Sequence, residues 1–208
     1  MDRIRVNRID VLLPGVQQLL QQRRAGRKWY RRWAPRAAVA MALREQAGSL
    51  SVLMIERASR VGDPWSGHMA FPGGMMERTD RDSLTTARRE TAEEVGLELA
   101  GRGQLLGRLS EISARAHRGR WPMVITPYVF ALNSIPRLKL NHEVADTLWV
   151  PLSFFIETEN RQSMRWRYRG VEQVLPCYLY RERRIWGLSL MMLDELLALL
   201  QAEPGHGG

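Results

Sequence analysis

Two short apolar runs, Ala37–Leu43 and Leu50–Glu56, flank the turn-like spacer Arg44-Glu45-Gln46-Ala47-Gly48-Ser49. Apolar runs bounded by polar and glycine residues read as strands, and so short a spacer lets these two pair antiparallel inside a core. The rest of the chain must then be arranged around a sheet. After the loop Arg57–Trp65, Asp80 or Asp82 can cap a helix that runs to about Val95 and is closed by Gly96. Gln104–Ser113 and Pro122–Leu132 read as strands around the polar, basic loop Ala114–Arg120, and Thr147–Val150 as a further strand ended by Pro151. Met164–Tyr168 and Val174–Tyr180 pair as a hairpin around Arg169-Gly170, and Ile185–Leu200 reads as an apolar final helix. Strands before and after a central helix, then a terminal helix, predict an α+β fold in which a mixed sheet lies between helices.

At 208 residues the chain suits one domain with terminal additions: a basic helix and arm over 1–35, the domain proper over 36–200, and a disordered tail over 201–208. Apolar residues Ile9, Leu12, Leu13, Val16, Leu19 and Leu20, with Pro14 suited to a first turn, predict a helix near 14–24. The formal net charge of +9 is concentrated here, because residues 1–36 hold nine arginines and Lys28 against only Asp2 and Asp10. Basic and aromatic side chains alternate over 24–35. Such a segment is either a clamp on phosphate, RNA or an anionic surface, or a linker whose Trp29 and Trp33 dock on the domain. The docked linker is the plainer reading, so nucleic acid is not the expected partner.

No stretch approaches the ~20 apolar residues needed to cross a bilayer, and the N-terminus lacks a compact apolar core followed by small residues. Cys177 is the single cysteine, so it has no partner within the chain and reads as a small buried apolar residue in a reducing compartment. A cytoplasmic protein without a membrane partner is expected.

Chemistry is concentrated between Gly73 and Leu97. Residues i, i+3 and i+4 share a helix face, so Glu90, Glu93 and Glu94 direct three carboxylates toward one small volume, while Leu84, Ala87, Thr91 and Val95 offer a neighbouring face to the sheet. An isolated Glu-x-x-Glu-Glu is more often a solvated acidic face. Here Gly73-Gly74 lies just upstream, where missing side chains let backbone carbonyls approach a metal or phosphate, and hard divalent cations with oxygen ligands would compensate the carboxylates. Arg89 points about 100° away from Glu90 around the helix, toward a different partner, and suits the task of orienting a carboxylate or bracing the loop.

Gly73-Gly74 followed by Arg89-Glu90-Thr91-Ala92-Glu93-Glu94-Val95-Gly96-Leu97 resembles the Nudix box, G-x5-E-x7-R-E-U-x-E-E-x-G-U with U aliphatic. Thr91 departs from the aliphatic position, and the Gly74-to-Arg89 segment is one residue longer, so Arg81 falls where strict spacing puts the first glutamate. Glu77, Asp80 or Asp82 can replace it. The longer spacing, with Phe71-Pro72-Gly73-Gly74, Glu77, Asp80 and Thr86-Ala87, is similar to the coenzyme A pyrophosphatase branch, whose upstream pattern L-L-T-x-R-S-x-x-L-R-x-H-x-G-Q is matched here at Arg57 and Gly67 but not at its second Arg, its His or its Gln.

The resemblance implies a Nudix-type α/β/α sandwich and hydrolysis of a nucleoside diphosphate linked to another moiety, using Mg²⁺ or Mn²⁺. Coenzyme A or an acyl-coenzyme A is one substrate; nucleotide sugars, ADP-ribose and dinucleoside polyphosphates are the alternatives, and a non-catalytic nucleotide- or RNA-binding module is a third class. Glu90, Glu93, Glu94 and a carbonyl of Gly73 or Gly74 would hold the cation, Glu90 would accept a proton from water, and Glu94 and Arg89 complete the catalytic set. Arg57, Gly73, Arg115, Arg118, Arg120 and Glu143 are the substrate-binding candidates, Glu143 also as an extra ligand, base or plain loop cap. His68 would touch phosphate or make a structural hydrogen bond, and Trp65 and Trp121 would stack on a base or pack on the sheet. The apolar final helix offers an interface for a homodimer.

Overall fold

The computed structural model describes residues 12–60, 65–114, 122–168 and 170–202. In chain order the strands are β1 (Arg36–Gln46), β2 (Ser49–Arg57), β3 (Met69–Ala70), β4 (Gly73–Met75), β5 (Gly103–Arg108), β6 (Ile112–Ala114), β7 (Met123–Leu132), β8 (Val144–Pro151), β9 (Arg161–Tyr168), β10 (Val171–Tyr180) and β11 (Arg183–Trp186). The helices are α1 (Leu13–Gln22), α2 (Ser83–Val95), α3 (Leu99–Arg102), α4 (Leu152–Ile156) and α5 (Gly187–Gln201).

The two apolar runs pair antiparallel as expected, with Leu43 opposite Val52. They lie inside an eight-stranded sheet whose main path is β3-β2-β1-β7-β5, with β4 on β1, β6 on β7 and β8 on β2. β1 and β7 run parallel while the other pairings are antiparallel, so the sheet is mixed. Both of its faces are covered, which explains why β1 and β2 are apolar almost throughout. Ala37, Met41 and Leu43 of β1 join Leu50, Val52 and Met54 of β2 in the core against α1, α4 and α5. On the opposite face Ala38, Ala40, Ala42, Leu53 and Ile55 meet Ala87 and Val95 of α2. Three alanines in alternate positions let α2 approach the sheet closely, and the α+β sandwich read from the sequence is present.

Several expectations change in detail. The stretch Gln104–Ser113 is two strands, β5 and β6, because the ladder to β7 is irregular between Leu105 and Gly107 and the Leu109 N–H donates instead to Pro127 O (2.9 Å). Arg183–Trp186 is a strand paired with β10, and α5 begins only at Gly187, whose φ is +62°. The apolar surface of α5 is spent internally: Leu190, Leu193, Leu196, Leu197 and Leu200 are buried and Met191 alone among its large apolar side chains is markedly exposed. It therefore offers little of the interface expected for a second copy. Helix α1 is a layer of the fold, with Val16 and Leu20 in the same core as α5. Cys177 is buried. Among the described residues no helix is long and apolar enough to cross a membrane.

Trp29 and Trp33 keep relative exposures of 74% and 50%. Polar groups fasten the arm that carries them. Glu111, nearly buried, accepts the Lys28 backbone N–H (2.7 Å) and Arg31 Nε (2.7 Å), while Gly26 N–H donates to Ser110 Oγ (3.1 Å).

Candidate active site

Helix α2 is set by its ends. Asp82 is the cap, accepting from the Thr85 N–H (2.8 Å) and Thr85 Oγ1 (2.9 Å), and Gly96 closes the helix in the left-handed region (φ 68°) with its N–H on Ala92 O (3.0 Å). Thr91, the departure from an aliphatic residue, is fully buried and donates its hydroxyl to Ala87 O (2.7 Å), so it costs no unsatisfied polar atom. Strand β4 lays Gly73 and Gly74 along Val39 and Ala38 of β1, directly beside α2.

Two of the three glutamates reach this turn. The Gly73 N–H donates to Glu94 Oε2 (2.8 Å), and the Glu90 carboxyl lies so close to Gly74 that a Cβ there would stand 2.5 Å from Glu90 Cδ. A side chain at 74 would therefore displace the Glu90 carboxyl. Glu94 is buried, and that burial, reinforced by the charges of Glu90 and Glu143 and opposed by the Gly73 N–H and Arg57, pushes its pKa up to about 7. Burial also raises Glu90, against the pull of Arg89 and with a further push from Glu93 and Glu143.

Glu93 does not join the pair. Its half-exposed carboxylate is held by Arg89 Nη1 (3.0 Å), and among the described residues no three His, Cys, Asp or Glu side chains stand ready to hold a metal ion. The geometric reason is Arg89, which collects every acid within reach. Its Nε and Nη2 donate to Asp80 Oδ1 (3.1 Å) and Oδ2 (3.0 Å), Nη2 also to Met75 O (3.1 Å), and Nη2 pairs with Glu90 Oε1 (3.0 Å). Arg89 thus contacts both the Glu90 carboxylate and, at Met75 O, the strand that follows the glycine turn.

Of the three acids considered for the missing first glutamate, Asp80 faces Arg89 from a buried position, Glu77 is mostly exposed and 3.9 Å from Arg89, and Asp82 is occupied as the cap. Arg81 points to solvent. Hydrogen bonds from Arg89, aided by those from the Glu77 N–H and Thr86 hydroxyl, hold the Asp80 pKa down to about 2 despite burial.

Glu143 comes to the site from far along the chain. Asn141 N–H donates to Glu94 O (3.0 Å) and Lys139 N–H to Val95 O (2.9 Å), so the segment before β8 is stitched to the end of α2. Glu143 O accepts from the Ala58 N–H (2.8 Å), next to Arg57, and its carboxylate pairs with Arg60 (3.0 Å). Arg60 was not singled out in the sequence, since nothing local links it to an acid 83 residues away. His68 stands between the rings of Trp65 (5.7 Å) and Trp186 (5.1 Å). Arg115, Arg118, Arg120 and Trp121 lie outside the described residues.

The assembled site brings the buried Glu94 and the half-buried Glu90 together at a glycine turn rimmed by arginines, which suits cation-assisted chemistry on an anionic substrate. The family model described as NUDIX domain matches residues 34–169. An uncharacterised protein of Schizosaccharomyces pombe is 41% identical over 105 residues, 49% of this chain and 32% of that protein. The mitochondrial coenzyme A diphosphatase NUDT8 of Mus musculus is 30% identical over 166 residues, 79% of this chain and 77% of the mouse protein. The chain thus spans about a third of the first relative and about three quarters of the second. Among solved structures, a Caenorhabditis elegans Ap4A hydrolase binary complex aligns with a TM-score of 0.49 and 21% identity over 60% of this chain and 85% of that one. With its glutamate helix, glycine turn and matched domain model, the chain belongs to the NUDIX family of hydrolases.

Proposed function

We propose that this chain hydrolyses the diphosphate linkage of a nucleoside diphosphate derivative with Mg²⁺ or Mn²⁺, and that the substrate is coenzyme A or an acyl-coenzyme A. The observation that carries the reaction type is the meeting of Glu90 and Glu94 at Gly73-Gly74, in electrostatic reach of Glu143. The substrate class is supported by the likeness to the mouse protein named as a coenzyme A diphosphatase.

The donor set fits a hard divalent cation. Glu94 is raised to about 7 chiefly by its burial, with Glu90 and Glu143 adding to the shift against the Gly73 N–H and Arg57, and a cation bound beside it would favour its charged form. Glu90, Glu94 and the Gly74 carbonyl would hold it, joined by Glu93 once released from Arg89. When bound, such an ion lowers the pKa of coordinated water and withdraws charge from the bridging phosphates.

The remaining work belongs to the chain. Arg89 fixes Glu90 through the 3.0 Å pair, and the upward shift of Glu90 brings its basicity toward that needed to accept a proton from water near neutral pH. Gly73 pins Glu94, leaving the second carboxylate oxygen for other partners. Arg57, with Glu143 and the loop residues Arg115, Arg118 and Arg120, forms the substrate-binding set for the anionic phosphates.

The test is a panel of coenzyme A, ADP-ribose, NADH, nucleotide sugars and dinucleoside polyphosphates, incubated with Mg²⁺ or Mn²⁺ and resolved by mass. Phosphopantetheine and adenosine 3′,5′-bisphosphate released from coenzyme A in preference to turnover of the others is the expected result. Turnover of the other compounds with coenzyme A left intact would overturn the substrate assignment.

A further inference from the structure

We propose that the cleft between the end of α1 and strand β5 is a binding site for a compact oligophosphate, separate from the diphosphate site. Helix α1 lies directly on β5, because a Cβ at Gly107 would stand 2.9 Å from Leu20 Cβ and the glycine leaves that space to the helix. The chain that leaves the helix is then tied to the sheet through its backbone. Ala25 O and Gly26 O accept from Arg108 Nη2 (2.9 Å) and Nη1 (3.3 Å), and the Gly26 N–H donates to Ser110 Oγ (3.1 Å). These contacts gather Arg23, Arg24, Arg27 and Arg108 around one concavity of about 690 Å³, with the buried Leu20 and Leu106 along its apolar side. Both leucines belong to the core beneath α1 and α5, on the opposite face of the sheet from α2 and its glutamates.

The acids nearby do not balance these four guanidinium groups. Glu195 pairs with Arg23 (2.9 Å) and also accepts from the Ser110 N–H (2.9 Å). Glu111 is engaged by Arg31 (2.7 Å) and by the Lys28 N–H (2.7 Å). Arg24 and Arg27 line the cleft with exposed side chains and have no carboxylate partner among the described residues. Arg108 gives its hydrogen bonds to carbonyl oxygens, which satisfy its N–H groups without cancelling its charge. Burial, and after it the charge of Arg27, lowers the Arg108 pKa against the pull of Glu111, as expected where cations crowd one another.

Three arginines without an acid partner, converging on one hollow, call for about three negative charges in a small volume. A short chain of phosphates supplies them, and its oxygens match the paired N–H groups of guanidinium forks. The leucine side of the cleft displaces water and strengthens each of those contacts. The volume is that of a small-molecule site, and the small residues Ala25 and Gly26 between the two unpaired arginines leave it open to the ligand. A nucleic-acid strand, by contrast, needs cations strung along a track, whereas these point into a single hollow.

The experiment is isothermal titration of the full chain with inorganic tripolyphosphate in EDTA, so that no divalent cation bridges the anion to the acidic helix. The wild type should bind saturably, with about one anion per chain, and less tightly when the salt concentration is raised about fourfold. Arg24→Ala with Arg27→Ala should weaken binding by about tenfold or more, while Arg24→Lys with Arg27→Lys, which keeps the charge and loses the fork, should weaken it by less. The alanine pair should melt as the wild type does and hydrolyse coenzyme A at the wild-type rate. Arg57→Ala, at the diphosphate site, should leave the tripolyphosphate affinity unchanged. Absence of saturable binding, wild-type affinity in the alanine pair, or loss of binding in Arg57→Ala would overturn the proposal. So would saturable binding of an oligouridylate by a chain that takes up no tripolyphosphate, which would assign the cleft to nucleic acid.

Discussion

Replacing Asp80 by Asn removes one charge and keeps the shape of the group at the centre of the Arg89 network. Asp80 is buried and accepts from the Glu77 N–H (2.9 Å), the Thr86 hydroxyl (3.0 Å) and twice from Arg89 (3.1 and 3.0 Å). An amide has one accepting oxygen, and its NH₂ would meet donors on the other side. The size of the effect follows from the acidity: a carboxyl held at about 2 instead of 3.8 corresponds to roughly 2.5 kcal/mol of native-state stabilisation at neutral pH. In a chain of this size that is a fall in Tm of about 5–10 °C. Because the folded group is the stronger acid, its contribution is complete above 3.8 and disappears as pH falls toward 2, so wild type and Asp80→Asn should converge in acid. Arg89 also holds Glu90 and Glu93, so hydrolysis should drop by about 10- to 100-fold as their positions relax. Thermal melts from neutral pH downward, with a parallel activity assay, measure both effects. Asp82→Asn keeps a good cap and Glu77→Gln alters an exposed group, so each should change stability by less than about 0.5 kcal/mol. Equal effects of all three substitutions would refute the assignment of Asp80 as the Arg89 partner.

The glycine turn makes a paired prediction. Gly73→Ala puts a Cβ 2.6 Å from Val39 Cα at φ +153°, a backbone clash that should destabilise by at least about 1–3 kcal/mol in denaturant titrations. Gly74→Ala strikes only the far end of Glu90, so the fold should survive while hydrolysis falls, and normal activity would contradict the placement of Glu90. At the other edge, Glu111→Gln weakens the hold on Lys28 and Arg31, and tryptic cleavage between Arg23 and Arg32 should accelerate with little change in global melting. An unchanged digestion pattern would show that the arm is fastened by other means.

What the sequence disclosed and what it withheld differ by range. The ends of α2 were legible because capping is local: Asp82 and Gly96 act on residues within one turn. The partner of Arg89 was not, since Glu77, Asp80 and Asp82 all lie close in sequence and only the fold of the turn before α2 buries one of them. Glu143 could be proposed from family resemblance, yet its neighbours Arg60 and Ala58 meet it only through the stitching of segment 139–143 to α2 and β2. Helical periodicity put Glu90, Glu93 and Glu94 on one face but could not foresee that Arg89 would draw Glu93 aside. A continuous apolar run hid the boundary at Gly187, where a positive φ separates β11 from α5. Glu111 was invisible as a docking point in the sequence, because the Lys28 N–H and Arg31 that it holds lie 83 and 80 residues away.

The central claim is that the buried carboxylates at the glycine turn carry hydrolysis. The most direct measurement is the Mg²⁺- or Mn²⁺-dependent rate of coenzyme A cleavage by Glu94→Gln, a substitution that keeps shape and removes charge at the group raised to about 7, with folding verified by its melt. A loss of at least about two orders of magnitude in kcat with an intact fold is the expected result. Turnover at the wild-type rate by a folded Glu94→Gln protein would contradict it.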